Sequence, residues 1–155
     1  MPTARIAKPS AERSRTMRAV KSRDTKPELL VAALLDELGV AYRREVAALP
    51  GKPDFVITGR GRVVEKRGRQ PLALFVHGCW WHAHDCPRGA RTPKTNRAYW
   101  TAKITRNRRR DRRVTRELRE LGYSVWTIWE CRLKSRRLPP RLTARLKDYV
   151  VSRRR

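Results

Sequence analysis

All three histidines of this chain and two of its three cysteines lie within ten consecutive residues: His77, Gly78, Cys79, Trp80, Trp81, His82, Ala83, His84, Asp85 and Cys86. A run so dense in metal-binding and proton-transferring side chains does not form a plain core strand or helix. It folds as a loop around something. The third cysteine, Cys131, follows a strand-like run, Tyr123 to Trp129. Three thiolates and one imidazole make a tetrahedral zinc set. His84 is the natural fourth ligand, because the spacing Cys79-x4-His84-x-Cys86 lets one loop wrap the ion. His77 and His82 are then left over for other work. An odd cysteine count, clustered with histidines, fits metal binding in a reducing compartment better than disulfides.

The charge narrows the partner. With 39 Lys and Arg against 14 Asp and Glu, the formal charge is +25. Such a chain repels itself unless a polyanion is present, so nucleic acid is the leading partner. A membrane surface would also attract it, but there is no apolar run of about 18 residues and no signal-like leader. The expected location is intracellular. Seven arginines crowd the segment from Arg106 to Arg116, where they could grip phosphates.

A length of 155 residues suits one domain. Residues 1–24 read as a basic arm with a short helix near Ser14–Val20, residues 25–151 as the domain, and 152–155 as a basic tail. Thr25, Pro27 and Glu28 form a capping box ahead of Leu30, Val31, Leu34, Leu35 and Leu38, and Gly39 stops that helix. Strands are expected at Val40–Ala47, Asp54–Ile57 and Leu72–Val76, the last apolar on both faces as a central strand should be. A long hairpin connection, Thr58–Pro71, joins the latter two, with Val63 and Val64 a possible strand extension. The long helix is Ala98–Leu121, with Ile104, Val114, Leu118 and Leu121 on one face. Trp126 and Trp129 in the following strand are assigned to the core. Pro139 and Pro140 open a last helix to about Val151, with Leu142, Leu146, Tyr149 and Val150 facing the body. This order predicts an α/β domain with a mixed central sheet.

Three further features carry chemistry. Asp54 opens a strand straight after a proline turn, and pairing of its strand with the next would bring it to the Val76–His77 backbone. A carboxylate and a backbone carbonyl suit Mg²⁺, although Pro-Asp is also ordinary turn chemistry. Asn107 and Asp111 lie on the apolar face of the long helix, where a polar group needs a partner or a purpose. A core hydrogen bond and a place beside an active centre both satisfy that. Trp80 and Trp81, with Trp100, cannot all bury their rings in a polar loop, and on a basic protein they suit stacking on bases. One of the two spare imidazoles could take a proton from an attacking water.

Taken together, these motifs resemble very-short-patch-repair endonucleases. The matching pieces run from Ser14-Arg15-Thr16-Met17 through Asp24, Thr25 and Glu28, Leu49 to Val56, Phe75 to Cys86, Tyr99 to Asp111 and Val125 to Cys131. The resemblance implies a restriction-endonuclease-like α/β core and a nick 5′ to the thymine of a T·G mismatch left by deamination of 5-methylcytosine. By it, Asp54 binds catalytic Mg²⁺ with the Val76 carbonyl, and His82 is the general base. Glu28, His77 and Asp111 organise metal-bound water, while Cys79, His84, Cys86 and Cys131 hold structural Zn²⁺. Trp80, Trp81 and Trp100 wedge in from the major groove and Met17 from the minor-groove side. Lys103 contacts the DNA, and Asn107 helps read the mismatched pair. A monomer is implied, placed in the cytoplasm with the nucleoid, with contact to mismatch-repair proteins a family expectation.

Val76 stands where a well-known member of the family has threonine, and Trp80 replaces the more usual phenylalanine. Glu65–Pro71 reads as an insertion beside the metal site. Two other readings stand: a restriction-type nuclease of related fold, and a zinc-stapled DNA-binding protein without catalysis.

Overall fold

Thr25 starts the first helix by the chemistry expected of it. In α1 (Lys26–Glu37) its hydroxyl accepts from the Glu28 backbone N–H, and proline occupies the first turn. The Glu28 side chain returns to the Thr25 hydroxyl rather than to its backbone, accepting at 2.7 Å. Gly39 follows with φ of 68°, the left-handed position a glycine takes without cost. The computed structural model describes residues 24–58, 70–91 and 93–150. The expected arm with its short helix and Met17, the Val63–Val64 extension and the tail lie outside the described residues.

Four strands form one mixed sheet in sequence order: β1 (Arg43–Arg44), β2 (Phe55–Ile57), β3 (Leu72–His77) and β4 (Ser124–Trp129). The first two pairings are antiparallel and β3–β4 is parallel. The crossover between β3 and β4 carries the Cys/His loop and the long helix α2 (Arg97–Glu120); α3 (Pro140–Leu146) follows. The first strand is shorter than Val40–Ala47, because Glu45 adopts a φ of 46° and breaks the extended run. Val40 makes only an isolated bridge to Val150.

Alternation along β3 divides the core. Leu72 and Leu74, with Phe55, Ile57 and Ile128, face Val31 and Leu35 of α1 and Leu142 and Leu146 of α3. Ala73 and Phe75 face Val114 and Leu118 of α2. The sheet is therefore a middle layer between helices, and strand periodicity puts His77 on the α2 side. Gly51, with φ of 70°, presses its turn onto α2, where an added Cβ would sit 2.4 Å from a Val114 methyl. That contact fixes the turn that delivers Asp54.

Several expectations fail at the margins. Leu121 is 57% exposed, since it lies past the last helical turn and leaves the apolar stripe. The last helix stops at Leu146 and tightens to a 3-10 turn, burying Tyr149 and leaving Val150 exposed. Trp126 only flanks the core, and Trp129 leaves it altogether for the α2 side. The connection between β2 and β3 springs from the Ile57–Leu72 end of the hairpin, whereas Asp54 and Val76 meet at the other end. Three residues of strand, about 10 Å, separate them. Where the Glu65–Pro71 segment rejoins the described chain it is tied down: Tyr149 donates to the Gln70 carbonyl at 2.6 Å, and Ser124 N–H to the Pro71 carbonyl at 2.8 Å.

Candidate active site and metal centre

The ligand atoms of Cys79, His84, Cys86 and Cys131 all lie within 4.8 Å of one another. One loop supplies three, and the 3-10 turn after β4 (Glu130–Leu133) supplies the fourth. Tight local hydrogen bonds shape that loop: His84 N–H donates to the Cys79 carbonyl, and Cys86 N–H to His84. Gly89 closes it, since a Cβ there would meet the His84 carbonyl oxygen at 2.0 Å. Backbone N–H groups of Cys131 and Gly89 point at the sulfurs of Cys79 and Cys86. Burial pushes the Cys79 thiol up to about 12, while a hydrogen bond from His84 and the Gly89 N–H bring Cys86 down to about 6. This group can hold a metal ion.

Beside it stands a second constellation, His77, His82 and Asp111, again with ligand atoms within 4.8 Å. The two imidazoles are stacked, 3.8 Å apart and 10° from parallel. Stacked rings aim their in-plane lone pairs side by side rather than at a common ion. His82 Nδ1 is also already engaged, 2.5 Å from Asp111 Oδ2. The set can hold and pass on a proton. Burial, then the neighbouring His82, takes His77 down to about 4, so it is neutral near pH 7. Burial works to raise the Asp111 carboxyl, but the hydrogen bond and charge of His82, with His77 and Arg110, outweigh it and hold it below the usual range.

Asn107, one turn before Asp111, donates to the Trp81 carbonyl at 2.9 Å. Both polar residues on the apolar face of α2 thus clasp the loop. Trp80, Trp81 and Trp100 form an edge-to-face cluster with centroids 4.8 to 5.9 Å apart. Lys103 Nζ sits over the rings of Trp81 and Trp100, at 5.2 and 5.3 Å. The half-buried aromatics therefore brace one another as a basic, apolar knob rather than projecting singly.

Asp54 accepts a 2.6 Å hydrogen bond from the Val76 backbone N–H. Residues in a strand send N–H and C=O to the same side, so the Val76 carbonyl shares the Asp54 edge. Burial raises the Asp54 carboxyl to about 6, with Glu28 and Glu45 adding to the rise while the Val76 N–H and Arg44 oppose it. Glu28 is 7% exposed. Arg44, which sequence reasoning missed, lies 3.7 Å from Glu28 and 2.8 Å from Asp24 and covers Phe55. Its Nε is buried without an acceptor. Sequence reading placed Arg44 inside the expected strand Val40–Ala47 and gave it no role.

Asp54 just ahead of a strand with Glu28 acting on it from α1, an Asp-braced imidazole and a Cys/His loop able to hold a metal ion, set in a chain of charge +25, are features that suit a nuclease built on a mixed α/β sheet. The comparisons narrow that class. The family model described as DNA mismatch endonuclease Vsr matches residues 7–88. The chain is 41% identical to the DNA mismatch endonuclease Vsr of Escherichia coli K12, over 90% of its own length and 84% of that protein. It is 37% identical to the type II nicking enzyme V.NmeAIP of Neisseria meningitidis, over 91% of this chain and 96% of that one. With the type II nicking enzyme V.XorIIP of Xanthomonas oryzae pv. oryzae, identity is 41%, covering 80% and 84%. The chain belongs to the Vsr family of DNA mismatch endonucleases, and its sheet is the restriction-endonuclease-like core expected of it. No helix among the described residues is long and apolar enough to cross a membrane.

Proposed function

We propose that this enzyme nicks double-stranded DNA 5′ to the thymine of a T·G mismatch, in very-short-patch repair of deaminated 5-methylcytosine. Asp54 and the Val76 carbonyl would hold Mg²⁺, with Glu28 bordering the site. When bound, that ion polarises the phosphodiester and the attacking water.

His82 is the general base. With Nδ1 turned to Asp111, its Nε2 is left to accept the proton, and the Asp111 carboxylate stabilises the imidazolium that forms. His77, kept neutral by burial, adds no repelling charge to that imidazolium. The His82–Asp111 contact at 2.5 Å is the observation that carries this reading. Cys79, His84, Cys86 and Cys131 would hold structural Zn²⁺. The set fits: a tetrahedral site with Zn–S near 2.3 Å places its sulfurs about 3.8 Å apart, within the 4.8 Å found. Trp80, Trp81 and Trp100 would wedge into the duplex from the major groove and Met17 from the minor-groove side, with Lys103 on the DNA. Asn107 would set the wedge through Trp81 and help read the mismatched pair. The enzyme acts as a monomer, since one nick needs one site, in the cytoplasm on nucleoid DNA.

Asp54→Ala tests this. It should abolish nicking of a T·G duplex in Mg²⁺ while binding stays within about threefold, because phosphate contacts supply most affinity. Nicking at the wild-type rate would refute the assignment.

A further inference from the structure

Trp129 has an aromatic surface that neither the core nor the roles above use. Its ring stacks on His84 at 4.2 Å with 21° between planes. The same ring meets His77 at 5.5 Å and 73°, and His82 at 6.3 Å and 69°. Among the described residues no other aromatic ring meets all three histidine rings. The sheet enforces this: Trp129 is the register partner of His77 across the parallel β3–β4 pair. Two residues on, Cys131 enters the metal cluster.

We propose that Trp129 is a positioning residue that ties the metal loop to the catalytic imidazoles. One face of the indole fixes the ring plane of the ligand His84, and the ring also walls the His77–His82 stack. A histidine on a loop has two free side-chain torsions, yet a metal ligand and a general base both need a fixed ring plane. Offset stacking and edge-to-face contact supply that constraint in a way an aliphatic side chain of similar bulk cannot. Because one rigid ring serves both groups, loosening of the metal ligand and loosening of the base occur together. The inference rests on His82 being the base.

Trp129→Phe and Trp129→Leu, each as zinc-loaded protein, separate ring geometry from bulk. The first keeps an aromatic face and should stay within about threefold of wild type. The second should lower kcat for nicking about tenfold or more, change KM less than threefold, and release zinc to a chromophoric chelator about tenfold faster, the size usual for outer-shell partners. Should the leucine variant not fold, the flexible Trp129→Met takes its place. A folded leucine variant with wild-type kcat, or with only one of kcat and zinc release altered, overturns the proposal. So does equal behaviour of the two variants. His82→Ala run alongside separates the failures: if it too nicks normally, the reading of His82 as base is wrong, and if it is dead, only the role of Trp129 is.

Discussion

Nδ1 of His82 lies 2.5 Å from Oδ2 of Asp111, joining a loop to a helix 29 residues away in the chain. Asp111→Asn keeps the shape of the contact but removes its charge. Nicking kcat should fall by about 10²- to 10⁴-fold, as for loss of a proton-transfer partner, with DNA affinity within threefold. Asp111 titrates below its ordinary value in the folded state. Its stabilisation is therefore present above about pH 4 and lost as pH falls through the lower folded value. The Tm gap between wild type and Asp111→Asn should be open at pH 6 and close in stronger acid, as thermal melts across pH will read.

Asp54 shows the opposite sign. Its folded value is about 6 against 3.8 ordinarily, so its contribution to stability is complete below about pH 4 and lost as pH rises past 6. Without Mg²⁺, Asp54→Asn should be more stable than wild type at pH 7 by about 1–3 kcal/mol, with the difference vanishing near pH 4. Added Mg²⁺ should raise the Tm of wild type alone. An asparagine variant that melts below wild type at pH 7 would contradict this.

Cys131 closes the metal cluster from the turn after β4, far in sequence from the loop it secures. Cys131→Ser should copurify with little zinc, lower Tm by about 10 °C or more and abolish nicking, because metal-binding energy here is folding energy. Metal analysis and a melt suffice. Full zinc content with an unchanged Tm would rule the cluster out as a structural site.

The braced tryptophans should matter for mismatches more than for DNA in general. The double change Trp80→Ala and Trp81→Ala should cut the preference for T·G over paired duplex by about 10- to 100-fold, from stacking worth about 1–3 kcal/mol per base. Affinity for paired DNA should change less than threefold. Equal loss on both duplexes, measured by titration at fixed salt, would count against a wedge.

Much of this site is local and so was legible along the chain. The spacing of Cys79, His84 and Cys86 is a loop property, and the helical wheel alone placed Asn107 and Asp111 where a purpose was needed. The proline turn before Asp54 marked a strand start, and its meeting with Val76 followed from simple hairpin pairing. What stayed hidden depends on register and direction. Trp129 reads as core because its strand is apolar; only the parallel pairing with His77 turns it towards the metal loop. Arg44 acquires its place from a two-residue strand paired with β2, from which its side chain reaches Glu28 of α1, and no pattern of apolar residues announces that. The connection between β2 and β3 leaves from the Ile57–Leu72 end; a hairpin has two ends, and the chain alone does not say which holds the carboxylate.

The most direct test of the account uses a duplex with one T·G mismatch in several flanking contexts, CTWGG among them, each strand labelled in turn. A fully paired duplex serves as control. With Mg²⁺ present, the account predicts a single nick, in the thymine strand only, immediately 5′ to the mismatched thymine, and no cleavage of the control. Comparable cutting of the paired duplex, or of both strands at the mismatch, would contradict it and point to a restriction-type nuclease instead.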